Sequence, residues 1–134
     1  MFTTQENGDY AFTNAQRNIW GTIDCEVTLE DTGEVIPFTA TPDDAEEYGR
    51  VLYEQLNTTY ASQVAELPEA QRDAEWADIQ RRQRSVRLKA TDWTQNSDVP
   101  EATRTLWQPY RQALRDISSQ EGFPLTVNWP TPPA

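Results

Sequence analysis

The sequence contains no histidine, a single cysteine (Cys25) and only 5 glycines among 134 residues. Without histidine, the Ser-His-Asp triad, the Cys-His dyad and the common zinc sites are excluded, and one cysteine cannot form an intramolecular disulfide. No segment matches a Walker or dinucleotide-type phosphate loop, or an Asp-x-Asp-x-Asp-Gly calcium loop. These absences predict a protein that is not an enzyme and that uses no cofactor and no metal.

Long apolar runs are also absent. No stretch approaches the ~20 consecutive apolar residues that a bilayer-spanning helix needs, and residues 1–10 lack the basic and apolar regions of a signal peptide. We therefore expect a cytoplasmic protein with no membrane partner. Apolar residues make up 37% of the chain, yet aromatic residues reach 10%, which is rare in disordered acidic chains. The composition predicts a small folded core that is rich in aromatic side chains.

Positive charge is scarce in the first part of the chain. Residues 1–80 contain 17 Asp and Glu but 3 Arg, whereas residues 81–134 contain 5 Asp and Glu and 8 Lys and Arg, so the net charge of −11 divides into −14 and +3. Phosphates would be repelled over more than half of the chain, and nucleic acid is therefore not an expected partner. The basic cluster at residues 81–89 is either a solvated helix face that pairs with Asp78 or a contact for an anion or an acidic partner.

Alternating hydrophobicity predicts a β-hairpin. Apolar residues occupy every second position of residues 19–29, as in a strand that buries one face, and Cys25 lies on that face as a packed thiol. Residues 30–34 have the chemistry of a turn, and Val35–Ala40 follows as a second strand. Pro37 removes an amide donor there and favours an edge position in the sheet.

The segments on either side of the hairpin lead to different predictions. Residues 1–17 are polar and are expected to form a flexible arm or loop. Thr41-Pro42-Asp43-Asp44 predicts the start of a helix that continues to about Leu56. The Thr41 hydroxyl can cap the helix, proline fits the first helical position, and the two carboxylates interact favourably with the positive end of the helix dipole. One face of this helix is expected to cover the hairpin, and its residues are Ala45, Tyr48, Leu52 and Leu56.

Two longer helices are predicted in the second half. The first runs from Pro68 to about Ala90 and carries two stripes, an apolar one (Trp76, Ile79, Gln83, Val86, Ala90) and a basic one (Asp73, Ala77, Arg81, Arg84, Leu88). The second begins at Pro100-Glu101, after a break at residues 91–99, and Pro109 within it predicts a kink. Its apolar stripe contains Leu106, Trp107, Tyr110, Leu114 and Ile117.

The predicted fold class is α+β, with an N-terminal β-hairpin plus helix and a C-terminal helical hairpin with an extended Pro-rich tail. Four prolines in residues 123–134 exclude a helix there. We expect two modules, residues 1–66 with the hairpin and its helix, and residues 67–134 with the helical pair and the tail.

Arginine and aromatic side chains of the second half are the candidate binding residues. These residue types dominate protein-binding hot spots, although in so small a domain tryptophans also form the core and arginines cover it. We predict that Trp107 and Tyr110 are buried, whereas Trp129 reaches a partner from the tail. An acid-base pair of carboxylates is the enzymatic alternative, but the acidic clusters fit a helix start and a turn better.

Three sequence blocks of this half follow one another in a specific order. Thr91-Asp92-Trp93 lies in the first, Tyr-Arg-Gln-Ala-Leu-Arg-Asp forms residues 110–116, and Val-Asn-Trp-Pro forms residues 127–130. Together they resemble the pattern of the bacteriophage tail assembly chaperone family, which includes tail fibre assembly proteins, over about residues 81–130. The chain departs from that pattern at Leu88-Lys89, where the family often has a Leu-Leu pair.

The resemblance implies a phage-encoded protein that helps tail proteins, often fibres, to fold or assemble in the cytoplasm of the infected host. It implies no catalytic residue, metal or nucleotide. Combining it with the hot-spot reasoning, we predict partner contacts at Arg84, Arg87, Trp93, Arg111, Arg115 and Trp129. Structural roles are predicted for Thr91, Asp92, Trp107, Tyr110, Leu114 and Asp116, with Thr91 and Asp92 closing the turn and Arg111 or Arg115 pairing with Asp92 or Asp116.

Two other functions remain open at this point. The same motif can end larger tail proteins, so the chain could be a permanent structural component of the virion tail. A charge of −11 at this size also fits an acidic mimic of DNA that inhibits a host protein, although the basic second half interrupts the acidic surface. Self-association into a homo-oligomer is left open as well.

Overall fold

Three antiparallel strands precede three α-helices in the computed structural model, which describes residues 1–134. The strands are β1 (Thr13–Arg17), β2 (Ile23–Thr28) and β3 (Val35–Ala40), and the helices are α1 (Glu47–Asn57), α2 (Glu69–Ala90) and α3 (Glu101–Arg115). Short 3₁₀ turns follow at Ala61–Gln63, Asp92–Gln95 and Asp116–Ser119. This arrangement confirms the α+β class.

The chain divides into two compact units, Met1–Arg72 and Asp73–Ala134, and the division falls within α2. The functional modules predicted at residues 1–66 and 67–134 stay a prediction. No helix is both long enough and apolar enough to cross a bilayer.

The predicted hairpin is present in the first unit as β2 and β3, in a sheet of order β1-β2-β3. Ile23, Cys25 and Val27 alternate with exposed or half-buried residues of β2 and are themselves buried, as the period of two requires. Gly33 has a φ of 70° in the turn, a conformation that glycine adopts without steric cost. β3 is an edge strand, which confirms the position expected from Pro37.

The expectation of a flexible arm at residues 1–17 is wrong. Thr13–Arg17 forms β1, and the Ala65 main chain pairs along it, since the Arg17 amide donates to the Ala65 carbonyl and the Ala65 amide to the Ala15 carbonyl, each at 2.9 Å. Phe2 is buried, and its ring meets those of Phe38 and Tyr48 at centroid distances of 4.9 and 5.0 Å. These contacts are distant in sequence, so the polar composition of the segment did not reveal them.

The start of α1 was also predicted wrongly. Thr41–Asp44 forms a turn, the helix begins at Glu47, and Ala45 is exposed. The Asp44 carboxylate accepts the Glu46 amide at 2.9 Å, so a short acidic side chain satisfies the local main chain without a helix. The same carboxylate lies so close to Gly49 that a Cβ there would collide with it.

Helix α1 covers the sheet as expected. Leu52 and Leu56 are fully buried and share one core with Ile23, Cys25 and Val27. Burial raises the pKa of the Cys25 thiol to about 11, with further contributions from the negative charges of Asp24 and Glu26. The thiol is therefore protonated at neutral pH and serves as a packed apolar group, which confirms the prediction for Cys25.

Helices α2 and α3 follow the predicted boundaries, but their buried faces differ from the predicted ones. In α2 the buried side chains are Ala77 and Gln80, whereas Val86 of the predicted apolar stripe is 70% exposed. In α3, which continues through Pro109, Leu106 is 55% exposed. The buried residues of α3, Arg111 and Leu114, lie towards its C-terminal end.

Candidate partner-binding site

Arg111 of α3 holds the end of α2. Its Nη1 donates to the Leu88 carbonyl at 2.9 Å and to the Thr91 hydroxyl at 2.7 Å, and its Nη2 donates to the Asp92 carboxylate at 2.9 Å. The Arg111 side chain is only 9% exposed, whereas that of Asp92 is 62% exposed. The predicted Arg111–Asp92 pair is thus present, and Arg111 lies in the interior instead of on a partner-facing surface.

The turn between the helices is built from hydroxyl groups. Thr91 donates to the Leu88 carbonyl at 3.1 Å, and the fully buried Thr94 donates to the Thr91 carbonyl at 2.6 Å. Gln95 then donates to the Arg104 carbonyl of α3 at 3.2 Å. Thr91 and Asp92 therefore close the turn as predicted. Sequence reasoning missed Thr94 and Gln95, although both directly follow the Thr-Asp-Trp block.

Three aromatic rings form a connected cluster between this turn and α3. The Trp93 and Trp107 centroids are 6.2 Å apart, and those of Trp107 and Tyr110 are 5.7 Å apart, both in edge-to-face geometry. Trp107 and Tyr110 are half-buried, less than predicted, and Trp93 is 53% exposed. We call these three residues the aromatic cluster. Its outermost ring, Trp93, is accessible to a partner, while the other two hold it in place.

Trp129 is not the loosely held side chain that the tail composition predicted. The Arg87 guanidinium lies over its ring at 3.9 Å from the centroid, and the indole is half-buried. The Gln120 amide also fixes the neighbouring main chain, since its nitrogen donates to the Asn128 carbonyl at 2.9 Å and its oxygen accepts the Asn128 amide at 2.8 Å. The tail contains no helix or strand, but residues 121–125 form turns instead of an extended segment, and the tail lies against its own unit.

Two further contacts attach the start of the tail to α2. The Arg81 guanidinium lies 5.7 Å from the Phe123 ring centroid, and the Gln80 amide donates to the Pro124 carbonyl at 3.1 Å. Arg82 pairs with Asp78, so the solvated ion-pair interpretation of the basic cluster is correct for Arg82. Arg81 and Arg87 instead contact aromatic rings.

An open groove of about 430 Å³ lies along α3, beside Gln95 of the interhelical turn. Because Pro109 has no amide hydrogen, the Thr105 carbonyl in this groove lacks its usual helical donor. The buried Arg111 Nε also has no hydrogen-bond partner. Arg115 is exposed and approaches the Gln112 oxygen at 3.5 Å, while the Gln112 amide donates to Asp116 at 3.1 Å. The groove is lined by Gln95, Thr105, Gln108, Pro109, Arg111, Gln112 and Arg115.

Residues 76–134 match the family model of the phage tail assembly chaperone protein. The match confirms, for these residues, the resemblance to this family that the sequence blocks predicted. It covers a little under half of the chain, and we call these residues the chaperone segment. No curated protein and no solved structure gives a significant match.

The chaperone segment contains all twelve predicted site residues, and the structure places eight of them in three groups. Thr91, Asp92 and Arg111 meet at the interhelical turn; Trp93, Trp107 and Tyr110 form the aromatic cluster; and Arg87 stacks on Trp129. Leu114 is fully buried in the core, Arg84 is half-buried on α2, and Arg115 and Asp116 are exposed at the end of α3. The first and third groups are held by internal contacts, which leaves the aromatic cluster as the exposed candidate.

Charge is distributed between the units very unequally. Residues 1–72 contain 14 Asp and Glu and 3 Arg, whereas residues 73–134 contain 8 acidic and 8 basic residues. The whole net charge of −11 therefore lies in the first unit, and the unit that carries the chaperone segment has no net charge. No three Cys, Asp or Glu side chains gather in a geometry that could hold a metal ion.

Proposed function

We propose that this chain binds an unassembled phage tail or tail fibre protein through the aromatic cluster and keeps it competent for folding or attachment in the host cytoplasm. The supporting observation is an exposed Trp93 whose ring is braced edge-to-face by Trp107 within the chaperone segment. A tryptophan that is already ordered loses little conformational freedom on binding and buries a large area. It therefore suits a contact that must form and later be released.

Fibre proteins are the favoured clients because their strand edges are exposed before the subunits associate. Such edges pair with other chains unless they are covered. An aromatic side chain packs well on the pleated surface of a strand, where β-branched and aromatic residues are common. The aromatic cluster would thus cover an unpaired edge together with its neighbouring side chains.

The client could also be bound by adding one of its strands to the edge of β3, but the structure favours this mode less. The Leu29 amide donates to the Glu34 carbonyl at 2.8 Å, and the register of the hairpin then directs the main-chain groups of Val35, Pro37 and Thr39 away from β2. Pro37 has no amide hydrogen, so a strand added at this edge would lack its central donor. We therefore assign client binding to the second unit.

The acidic first unit has a separate role in this proposal. Its net charge of −11 repels other copies of the chain and raises solubility, since like-charged surfaces avoid close approach. A complex with an aggregation-prone client would gain the same protection. This role depends only on charge and requires no contact with the client.

Co-expression with the tail or fibre protein of the same phage tests the proposal. We expect a higher soluble yield of the tail protein and its co-purification with the chain, and we expect Trp93→Ala to reduce both. Val35→Ala removes an exposed apolar side chain in the first unit and is the control that should leave both unchanged. If the wild-type chain changes neither the soluble yield nor the co-purification of the tail protein, the proposal is contradicted. If the chain is found in purified virions, it is a permanent tail component instead.

A further inference from the structure

The tail of the second unit behaves as a bound peptide on α2. Residues Phe123–Pro130 contain no helix or strand; residues 123–125 belong to a turn in which the Thr126 amide donates to the Gly122 carbonyl at 2.9 Å. The side chains of Phe123, Pro124, Val127, Trp129 and Pro130 are half-buried. Leu125, Thr126 and Asn128 are exposed. One side of an irregular, proline-containing segment therefore faces the unit, as in complexes where an extended peptide lies on a folded domain.

The surface beneath the tail recognises general features of a peptide. Arg81 and Arg87 are six residues apart on α2 and each places a guanidinium over an aromatic ring, at 5.7 and 3.9 Å from the centroids of Phe123 and Trp129. Gln80, which is buried, donates to a main-chain carbonyl at 3.1 Å. The two guanidinium groups bind aromatic rings, and the Gln80 amide binds a main-chain carbonyl. These groups can therefore bind another extended segment whose aromatic residues have a suitable spacing.

The attachment is suited to exchange. Its contacts with α2 are two cation–π contacts and a hydrogen bond to the Pro124 carbonyl. Hydrogen bonds of Gln120 and Gly122 with the tail main chain hold it at its start. None of the tail side chains is fully buried. A tethered segment competes at an effective concentration on the order of millimolar, so a partner segment with more contacts can displace it.

We propose that the face of α2 formed by Gln80, Arg81 and Arg87 is a second binding surface for the tail protein, which the chain's own residues Phe123–Pro130 occupy until an extended aromatic segment of the client replaces them. This inference rests on the proposed function for the identity of the partner. It adds that the client segment is extended and aromatic, and that the free chain blocks the surface with its own tail.

A synthetic peptide of residues 121–134 with a fluorescent label tests the surface on full-length protein. Fluorescence anisotropy should show weak binding to the wild-type chain, because the tethered tail occupies the surface. Trp129→Ala in the full chain should strengthen binding of the wild-type peptide at least tenfold. Adding Arg87→Gln to that variant should abolish the gain, and a peptide with alanine in place of Trp129 should bind none of the proteins well.

Each outcome bears on the inference. Equal binding to the wild-type and Trp129→Ala chains would overturn it, as would retention of the gain in the Arg87→Gln background. Circular dichroism of each variant controls for folding. As an independent readout, the indole N–H resonance of Trp129 in the Arg87→Gln chain should move towards its random-coil position, and an unchanged resonance would contradict the stacking contact.

The partner is tested separately with the co-expressed tail protein. Trp129→Ala should increase its capture several-fold if the tail competes for the surface, whereas a decrease would show that the tail itself is the contact and would overturn the displacement model. If the wild-type chain captures no tail protein while the peptide results hold, the proposed function fails and the surface stands as a recognition site for another extended segment.

Discussion

The buried Arg111 and the exposed Asp92 form an ion pair at 2.9 Å across the turn that joins α2 to α3. Arg111 also donates to the Leu88 carbonyl and the Thr91 hydroxyl, so one guanidinium satisfies three acceptors at the end of α2. Lysine has a single compact ammonium and could not replace this planar set of donors. The pair therefore fixes the geometry of the helical hairpin on which the aromatic cluster is mounted.

Replacing Arg111 should destabilise the second unit more than replacing Asp92. Arg111→Met leaves the buried Thr91 hydroxyl without a donor and the Leu88 carbonyl with Thr91 as its only donor, and we expect a loss of about 1–3 kcal/mol in the free energy of unfolding. Asp92→Asn should cost about 1 kcal/mol, because the Asn oxygen can still accept a hydrogen bond from the Arg111 guanidinium and the Asp92 side chain is largely solvated. Urea unfolding followed by circular dichroism measures both, and equal losses would contradict the assignment.

Trp93 and Leu114 should separate binding from stability. Trp93→Ala removes an exposed ring and should change the free energy of unfolding by less than about 1 kcal/mol while it weakens binding of the tail protein. Leu114→Ala removes a fully buried side chain and should cost about 2–5 kcal/mol. Thermal unfolding and co-purification, measured on both variants, provide the comparison. A strongly destabilised Trp93→Ala chain would show that this residue is a core residue.

Pro37 should protect the edge of β3 against self-association. Pro37→Val restores an outward amide in an exposed edge strand with a high strand propensity, so we expect faster aggregation at high protein concentration. Pro42→Val, in the turn before α1, is the matched control and should leave the aggregation rate unchanged. Light scattering followed over time at several protein concentrations measures the aggregation rates. Equal rates for Pro37→Val and the wild-type chain would indicate that the net charge alone prevents self-association.

The raised pKa of Cys25 predicts a loss of stability at alkaline pH. The thiol has its ordinary pKa of 9.0 in the unfolded chain and a pKa of about 11 in the folded one, so the folded state holds its proton more tightly. This contribution is fully present below pH 9 and is lost as the pH rises through 11. Unfolding free energies of the wild-type and Cys25→Ala chains between pH 8 and 11 should therefore converge on the alkaline side.

A second measurement tests the same thiol directly. At pH 8 the folded wild-type chain should react slowly with a thiol reagent, and denaturant should restore the rate of a free cysteine. Rapid labelling of the native chain would contradict the burial of Cys25.

Elements that follow from local patterns could be predicted from the sequence. The period of two predicts β2, and the prolines at residues 68 and 100 predict where α2 and α3 begin. The position of Thr91 and Asp92 between two predicted helices places both residues in the turn. The missed features depend on partners distant in the chain. Phe2 is buried by Phe38 and Tyr48, which no local pattern around residue 2 reveals.

In the candidate site, too, local features could be predicted and features that depend on distant residues could not. The residue types of the aromatic cluster were predicted, but the exposure of each ring was not, because half-burial depends on which face of a helix meets its neighbour. Trp129 lies in a segment whose composition favours an open chain, yet Arg87 stacks on it. Arg111 is an arginine in the interior, and its burial becomes favourable only because three acceptors converge on it.

The pairing of Ala65 with β1 has a consequence for biosynthesis. The outer edge of that strand is paired at one position by Ala65, which lies further along the chain than α1. During translation, a nascent polypeptide that has emerged only as far as α1 would present an open edge to its neighbours on the polysome. We expect Ala65 to emerge and pair with β1, so that the open edge is partly covered, before the chaperone segment leaves the exit tunnel.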